Sequence, residues 1–203
     1  MNDFPDEAAL RAHMGDVSAM AARKALPRLD RHGRAFIALS PFLVMATADA
    51  DGKLDASPRG DPPGFVRVLD DTTLILPDRP GNNRVDSLSN LLANPHVGLI
   101  FFVPGIEETL RVNGTATIFT DPALLAESEV AGKVPRTGLR IAIDEVYFHC
   151  AKALKRSRLW DKDAQIARSS FPSLGRIMAD QLQEMSAEVA EERIETAYRT
   201  RLY

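Results

Sequence analysis

The chain has 203 residues, 45% of them hydrophobic and 26% charged, enough apolar material for a core and too much for global disorder. That length fits one domain, or one domain with appendages, and argues against a two-lobed enzyme with separate cofactor and substrate domains. Lys and Arg number 25 against 28 Asp and Glu, a net charge of −3, so no basic field of the kind that drives nucleic-acid binding is present and any bound anion must be held locally.

In chain order, residues 6–26 place Leu10, Met14, Val17, Met20 and Leu26 at roughly helical spacing, which predicts an N-terminal helix ended by Pro27. A second helix is expected over 28–39, stopped at Ser40-Pro41 because the residue before proline is pushed out of helical geometry. From Phe42 the pattern becomes short, apolar and partly β-branched. Strands are predicted at 42–47 and 53–57 around the turn Asp49-Ala50-Asp51-Gly52, then at 65–69 and 73–76 around Asp70-Asp71. A loop leads into a short helix over 86–93, stopped by Asn94-Pro95. Strands follow at 96–103 and 109–119. Asp121-Pro122 suits the cap and first turn of a helix to about 131, and another strand is expected at 139–148. The tail 173–203 reads as one long helix. Consecutive hairpins broken by a single helix indicate an antiparallel barrel with helical additions, not a parallel sheet.

The sequence lacks a G-x-x-x-x-G-K-[ST] loop, a G-x-G-x-x-G turn after a strand, an H-E-x-x-H and a G-x-S-x-G, so the common nucleotide-binding, zinc and serine-nucleophile signatures have no support. The four histidines lie far apart in sequence, and no metal site is expected. Cys150 is the only cysteine, which excludes an intrachain disulfide and suits a reducing cytoplasm. The acidic start Met1-Asn2-Asp3 and the following residues do not read as a signal peptide. No run approaches the ~18 apolar residues of a membrane span, so neither export nor a membrane partner is expected.

Three segments could carry chemistry. In the loop Asp78 to Asp86, Arg79 and Arg84 flank Asn82 and Asn83 just before a helix. Helix N-terminal N–H groups beside two guanidinium groups can hold a phosphate. The same composition also makes an ordinary surface turn. The second segment, Ser57-Pro58-Arg59-Gly60-Asp61-Pro62-Pro63-Gly64, ends a strand with an arginine and a tight excursion; Arg59 reads either as a ligand to a flat molecule or as a solvated charge. Arg111, alternating with Leu110 and Val112, points to water or lines a site. The third, Lys152 to Trp160, sets Lys152, Lys155, Arg156 and Arg158 beside the only tryptophan, suited to a flat anion or to a solvated helix with an aromatic anchor. His149-Cys150 reads as an inert, partly buried pair.

In order and spacing, four of these pieces resemble the FMN-binding split-barrel superfamily named after pyridoxamine 5′-phosphate oxidase, over residues 35–161. They are Ser57-Pro58-Arg59-Gly60, Leu76-Pro77-Asp78-Arg79 with Asn82-Asn83-Arg84, the helix ending at Asn94-Pro95, and Thr109-Leu110-Arg111-Val112-Asn113-Gly114. The resemblance implies a mainly β, α+β fold: a six-stranded antiparallel split barrel at 41–161, with a helical extension at 1–40 and a helical segment at 162–203. It also implies a homodimer with FMN at the subunit interface. Carried over by position, Arg79, Asn82, Asn83 and Arg84 would surround the phosphate. Arg59 and the Pro77-Asp78 backbone would lie near the ring and ribityl chain, and Thr109 and Arg111 would approach from a neighbouring strand. Lys152, Arg156 and Trp160 would close the site from the partner subunit.

Two departures bear on function. Thr109 stands where the oxidases carry a glutamine near the flavin, and Asn82-Asn83-Arg84 replaces their Ser-Arg-Lys phosphate loop. Arg158-Leu159-Trp160-Asp161 stands for their Arg-Leu-His-Asp, and tryptophan in place of the substrate-contacting histidine argues against oxidation of pyridoxamine phosphate itself. The resulting expectation is an FMN-dependent oxidoreductase acting on a small-molecule redox substrate or NAD(P)H. The alternatives are a deazaflavin- or haem-binding barrel, and a flavin-binding or interaction protein without turnover.

Overall fold

The computed structural model describes residues 4–203; the acidic start at 1–3 lies outside them. Three helices open the chain: α1 (Glu7–Met14), α2 (Ala19–Arg23) and α3 (Arg31–Leu39). The helix expected over 6–26 is divided, because Gly15 leaves α1 at φ +78° and Ser18 starts α2 by capping the Ala21 N–H. Neither α1 nor α2 buries a residue. α3 is anchored differently. Asp30 caps its Gly33 N–H at 2.8 Å, and Phe36 and Ile37 enter the core.

The strands are β1 (Phe42–Ala48), β2 (Leu54–Gly60), β3 (Arg67–Val68), β4 (Thr73–Asp78), β5 (His96–Val103), β6 (Ile106–Phe119) and β7 (Thr137–His149). They form one sheet in the order β2-β1-β5-β6-β7-β4-β3, and every pairing is antiparallel. The strand expected at 53–57 runs on to Gly60, through Pro58. A proline is tolerated there because β2 is an edge and needs no second ladder. The resemblance implies six strands; the sheet has seven, the strand expected at 65–69 being the two-residue β3.

β1 and β5 bury alternate residues, Leu43, Met45 and Thr47 in the first and Val97, Leu99, Phe101 and Val103 in the second, whereas β4 is buried on both faces from Leu74 to Pro77. One cluster holds Leu43 and Met45 from one end of the sheet with Leu74 and Leu76 from the other, closed by Phe36 and Ile37 of α3 and Leu91 of α4 (Asp86–Ala93). Strands second and sixth in the order can share a core only if the sheet curls. β2 and β4 nevertheless exchange no ladder bonds, so the barrel keeps an open seam. The architecture is the α+β split barrel expected from the sequence.

β7 contains the main irregularity. Asn113 pairs with Glu145 but Gly114 pairs with Ile143, so Asp144 is the extra residue of a bulge. The bulge reverses which parity of β7 faces inward, from Leu139, Ile141 and Ile143 to Val146.

The other helices are α5 (Pro122–Ala126), α6 (Lys152–Ser157), α7 (Leu174–Leu182) and α8 (Ala187–Thr200). α5 stops at Ala126, short of 131: the Ser128 and Glu129 N–H groups bond three residues back instead of four, and Ala131 and Gly132, both at positive φ, then make a two-residue turn closed by Val130 and Lys133. The long tail helix expected over 173–203 is instead a hairpin. Gln183 ends α7 in the left-handed region and Ser186 caps α8 on the Val189 N–H. A Cβ on Gly175 would lie 2.6 Å from the Glu191 backbone nitrogen, so only glycine lets the two helices pack this closely. Among the described residues no helix is long and apolar enough to cross a membrane.

Candidate functional site

The open seam is bridged by side chains. Arg59, near the end of β2, donates from Nη1 to Asp78 Oδ1 at the end of β4 at 2.7 Å, and from Nη2 to Ser87 Oγ in the first turn of α4 at 3.2 Å. Ser87 in turn donates to Asp55 Oδ2 at 2.6 Å, and Thr137 Oγ1 donates to Asp78 Oδ2 at 3.4 Å. Arg59 Nε is buried without a partner. A buried N–H of a charged group is costly to leave unpaired, so this atom marks a place where an acceptor would be stabilised.

α4 begins beside this arginine. Its preceding residue, Val85, sits at φ +52° and no side chain caps the helix, so its first-turn N–H groups carry no capping bond, while Asp86 sets one carboxylate in that turn. A β-branched residue in the left-handed region is strained, as is typical of loops shaped around a ligand. Asn83 also has positive φ, at 58°, and Asn82 Oδ1 accepts from the Arg84 N–H, giving the loop its turn. Arg84 is exposed and pairs only with Asp86, which raises its already high pKa through the hydrogen bond and charge of that carboxylate. The unpartnered Arg59 Nε, the uncapped α4 terminus and the exposed Arg84 together fit a phosphate group.

Arg79 does not join this cluster. It faces Asp61, whose side chain is fully buried: Nε donates to Asp61 Oδ2, Nη2 donates to the Ser128 carbonyl at 2.7 Å, and the guanidinium lies 5.3 Å from the centre of the Tyr203 ring. Adjacent residues at the end of β4 point to opposite sides, which sends Asp78 to Arg59 and Arg79 to Asp61.

Thr109 and Arg111 lie elsewhere. Thr109 is buried and pairs with His149 in the β6–β7 ladder. Arg111 is on the outer face, bonded through Nε to Asn113 Oδ1 at 3.2 Å, near Glu145 at 3.5 Å, and stacked on Tyr147 at 5.3 Å. Lys24 covers the same ring at 4.7 Å and donates to the Phe148 carbonyl. This face continues as Phe42, Val44, Ala46, Ile100 and Phe102, and carries a hollow of about 340 Å³ between Ala46, Leu54, His96, Gly98, Asn113 and Asp144. Lys152 and Arg156 are exposed on α6, while Trp160 Nε1 donates to the Ile106 carbonyl at 2.9 Å, which fixes this segment at the start of β6. Cys150, expected to be partly buried, is exposed.

The chain therefore gathers Arg59, Asp78 and the Asn82-Asn83-Arg84 loop, and keeps Thr109, Arg111, Lys152, Arg156 and Trp160 on other elements. Ser87, Asp55, Asp61 and Tyr203 were not singled out from the sequence. Ser87 had a signal, a hydroxyl in the first turn of a helix after an arginine; Asp61 sat in the Arg-Gly-Asp triplet without a partner to suggest itself; Tyr203 had none.

His149 titrates below its ordinary value, first through burial and then through the Lys24 and Arg111 cations. Unfolded, it titrates near pH 6.5, and the folded protein takes up that proton less readily. Stability from this group is thus present above that pH and is lost as the pH falls through and below it. His149→Gln is expected to lose less stability than wild type between pH 7.5 and about 5.5, as read by urea midpoints. Equal losses would show that the shift has no energetic consequence.

The sequence profile of the family described as pyridoxamine 5′-phosphate oxidase matches residues 29–150. No curated protein matches the chain in sequence. Solved structures give distant fold likenesses. HupZ of Group A Streptococcus is 20% identical with a TM-score of 0.48, covering 59% of this chain and 93% of its own. A candidate pyridoxamine 5′-phosphate oxidase of Lactobacillus delbrueckii is 21% identical with a TM-score of 0.46, covering 60% and 95%. An FMN-binding protein of Syntrophomonas wolfei is 12% identical with a TM-score of 0.47, covering 58% and 83%.

Proposed function

The chain belongs to the pyridoxamine 5′-phosphate oxidase family, and from that premise we propose that it is an FMN-dependent oxidoreductase working as a homodimer on a small-molecule redox substrate or NAD(P)H. The observation that carries the reading is the corner at α4: an uncapped helix terminus beside the Arg59 guanidinium, which bonds Ser87 in the first turn and keeps a buried, unpartnered Nε. Arg59, Arg84 and the α4 N–H groups would hold the phosphate, with Asn82 and Asn83 shaping the loop and the Pro77-Asp78 backbone beside the ribityl chain and ring. Bound FMN would supply hydride transfer, while the protein supplies orientation and limits access.

Separation and surface support the dimer. Thr109, Arg111, Lys152, Arg156 and Trp160 lie on elements other than the phosphate corner, so in this reading they complete the site of the partner subunit. The outer sheet face supports a second copy as its cover, with Phe42 39% and Leu54 80% exposed on contiguous strands. The cytoplasm, expected from the single cysteine, is part of the same proposal.

An absorption spectrum of the purified protein, with mass identification of any released ligand, tests the cofactor. Flavin bands and released FMN are expected, with reduction of the bound flavin by NAD(P)H or an amine donor. A Soret band or a deazaflavin would replace the cofactor, and a flavin that no donor reduces would replace the enzyme with a flavin-binding protein. A colourless protein that added FMN does not saturate would remove the oxidoreductase reading.

A further inference from the structure

We propose that Tyr203 is a positioning residue for the phosphate loop, because it clamps the Asp61–Arg79 pair across the barrel seam and so fixes the point at which residues 80–85 leave β4. This rests on the FMN reading of the α4 corner.

Asp61 follows β2 directly and its carboxylate is wholly buried, with one oxygen on Arg79 Nε and the other accepting from the Tyr203 hydroxyl at 2.9 Å. The Tyr203 ring also covers the Arg79 guanidinium, whose Nη2 reaches the Ser128 carbonyl on the connection between α5 and β7. Three parts of the chain therefore meet on one arginine: the end of β2, the segment after α5, and the tail after α8. A buried ion pair is favourable only while its remaining lone pairs are satisfied. Without the tyrosine hydroxyl, Asp61 Oδ1 has no partner, and a cavity of about 140 Å³ bordered by Asp61, Arg79 and Ser128 gives water a way in. The Ser128 hydroxyl is already buried there without a partner.

The mechanical link to the phosphate corner is short. Asp78 and Arg79 are consecutive, the first tied to Arg59 and the second to Asp61, so the end of β4 is held from both sides of the seam. Releasing Arg79 frees the loop on one side of Asp78, and this loop carries Asn82, Asn83, Arg84 and the strained Val85 into α4. The tail hairpin thus acts on the site without touching it. The Asp61 hydrogen bond, burial and the Asp61 charge all push the Tyr203 phenol above its ordinary value, so the clamp stays protonated across the physiological range.

The test uses full-length Tyr203→Phe and Tyr203→Leu. Kd values for FMN and for riboflavin come from flavin fluorescence, and loop opening from amide hydrogen exchange over residues 79–85. Tyr203→Phe is expected to weaken FMN about tenfold, the size of one lost hydrogen bond to a charged group, with riboflavin affinity unchanged and faster exchange in the loop. Tyr203→Leu, which also loses the ring over Arg79, is expected to weaken FMN further. A general structural effect would move both flavins together and would overturn the inference, as would unchanged FMN affinity with unchanged exchange. Wild-type protein that binds neither flavin would overturn the FMN reading and this inference with it, whereas a wild type that binds FMN and an unresponsive Tyr203→Phe would overturn this inference alone.

Discussion

Arg59→Ala is expected to weaken FMN binding by about 1.5–3 kcal/mol, roughly ten- to hundredfold in Kd. Arg59 holds both Asp78 and Ser87 and leaves Nε free, so its guanidinium can bridge the open seam and still offer a donor to phosphate. Arg59→Lys is expected to restore little, because an ammonium is a point charge and cannot span a carboxylate and a hydroxyl while presenting a third, fixed N–H. Flavin fluorescence titration reads both variants against wild type. Full affinity in Arg59→Ala would remove this residue from the site and with it the observation on which the FMN reading stands.

Gly114→Ala is expected to destabilise the fold by about 3 kcal/mol, the upper end of what an inserted methyl costs in a packed interior. For a domain of this size that lowers Tm by roughly 6–12 °C in a thermal melt. The added Cβ would sit 2.0 Å from the Ala142 carbonyl oxygen and 3.0 Å from its carbon. Both are backbone atoms of β7, so no rotamer change relieves the contact, and the strands must separate at the bulge. Because the bulge sets which face of β7 turns inward, the damage extends beyond the single contact, to Ile143 on one side and Val146 on the other. A Tm within about 2 °C of wild type would mean the strands can part there at little cost.

The two variants probe different layers of the molecule, and those layers were not equally readable. The bulge had a sequence signal: along β7 the apolar residues run Leu139, Ile141, Ile143 and then Val146, so the alternation slips by one residue at Asp144, where the ladder also slips. The seam had none. Arg59 and Asp78 are 19 residues apart, and Tyr203 and Asp61 are 142 apart. Only the curl of the sheet decides that they meet.

The sequence by itself determined what is local. The strand at His96–Val103 and the helix at Asp86–Ala93 fall where alternation, helical spacing and the Asn94-Pro95 stop put them, since periodicity and termination act within a few residues. It determined the antiparallel barrel as well, through the run of hairpins and the ordered pieces shared with a known superfamily. Where two local signals competed, the sequence was ambiguous: the tail has helical spacing throughout, yet the left-handed Gln183 and the capping Ser186 break it, and close packing at Gly175 stabilises the hairpin. Tertiary structure alone decided the partners of the charged side chains. Arg79 looked like a phosphate ligand because it lies in the right loop, but strand alternation at the end of β4 turns it toward a buried aspartate and a tyrosine from the far end of the chain. Guanidinium groups in one loop are equivalent in sequence, and what distinguishes them is which carboxylate the folded backbone brings within reach.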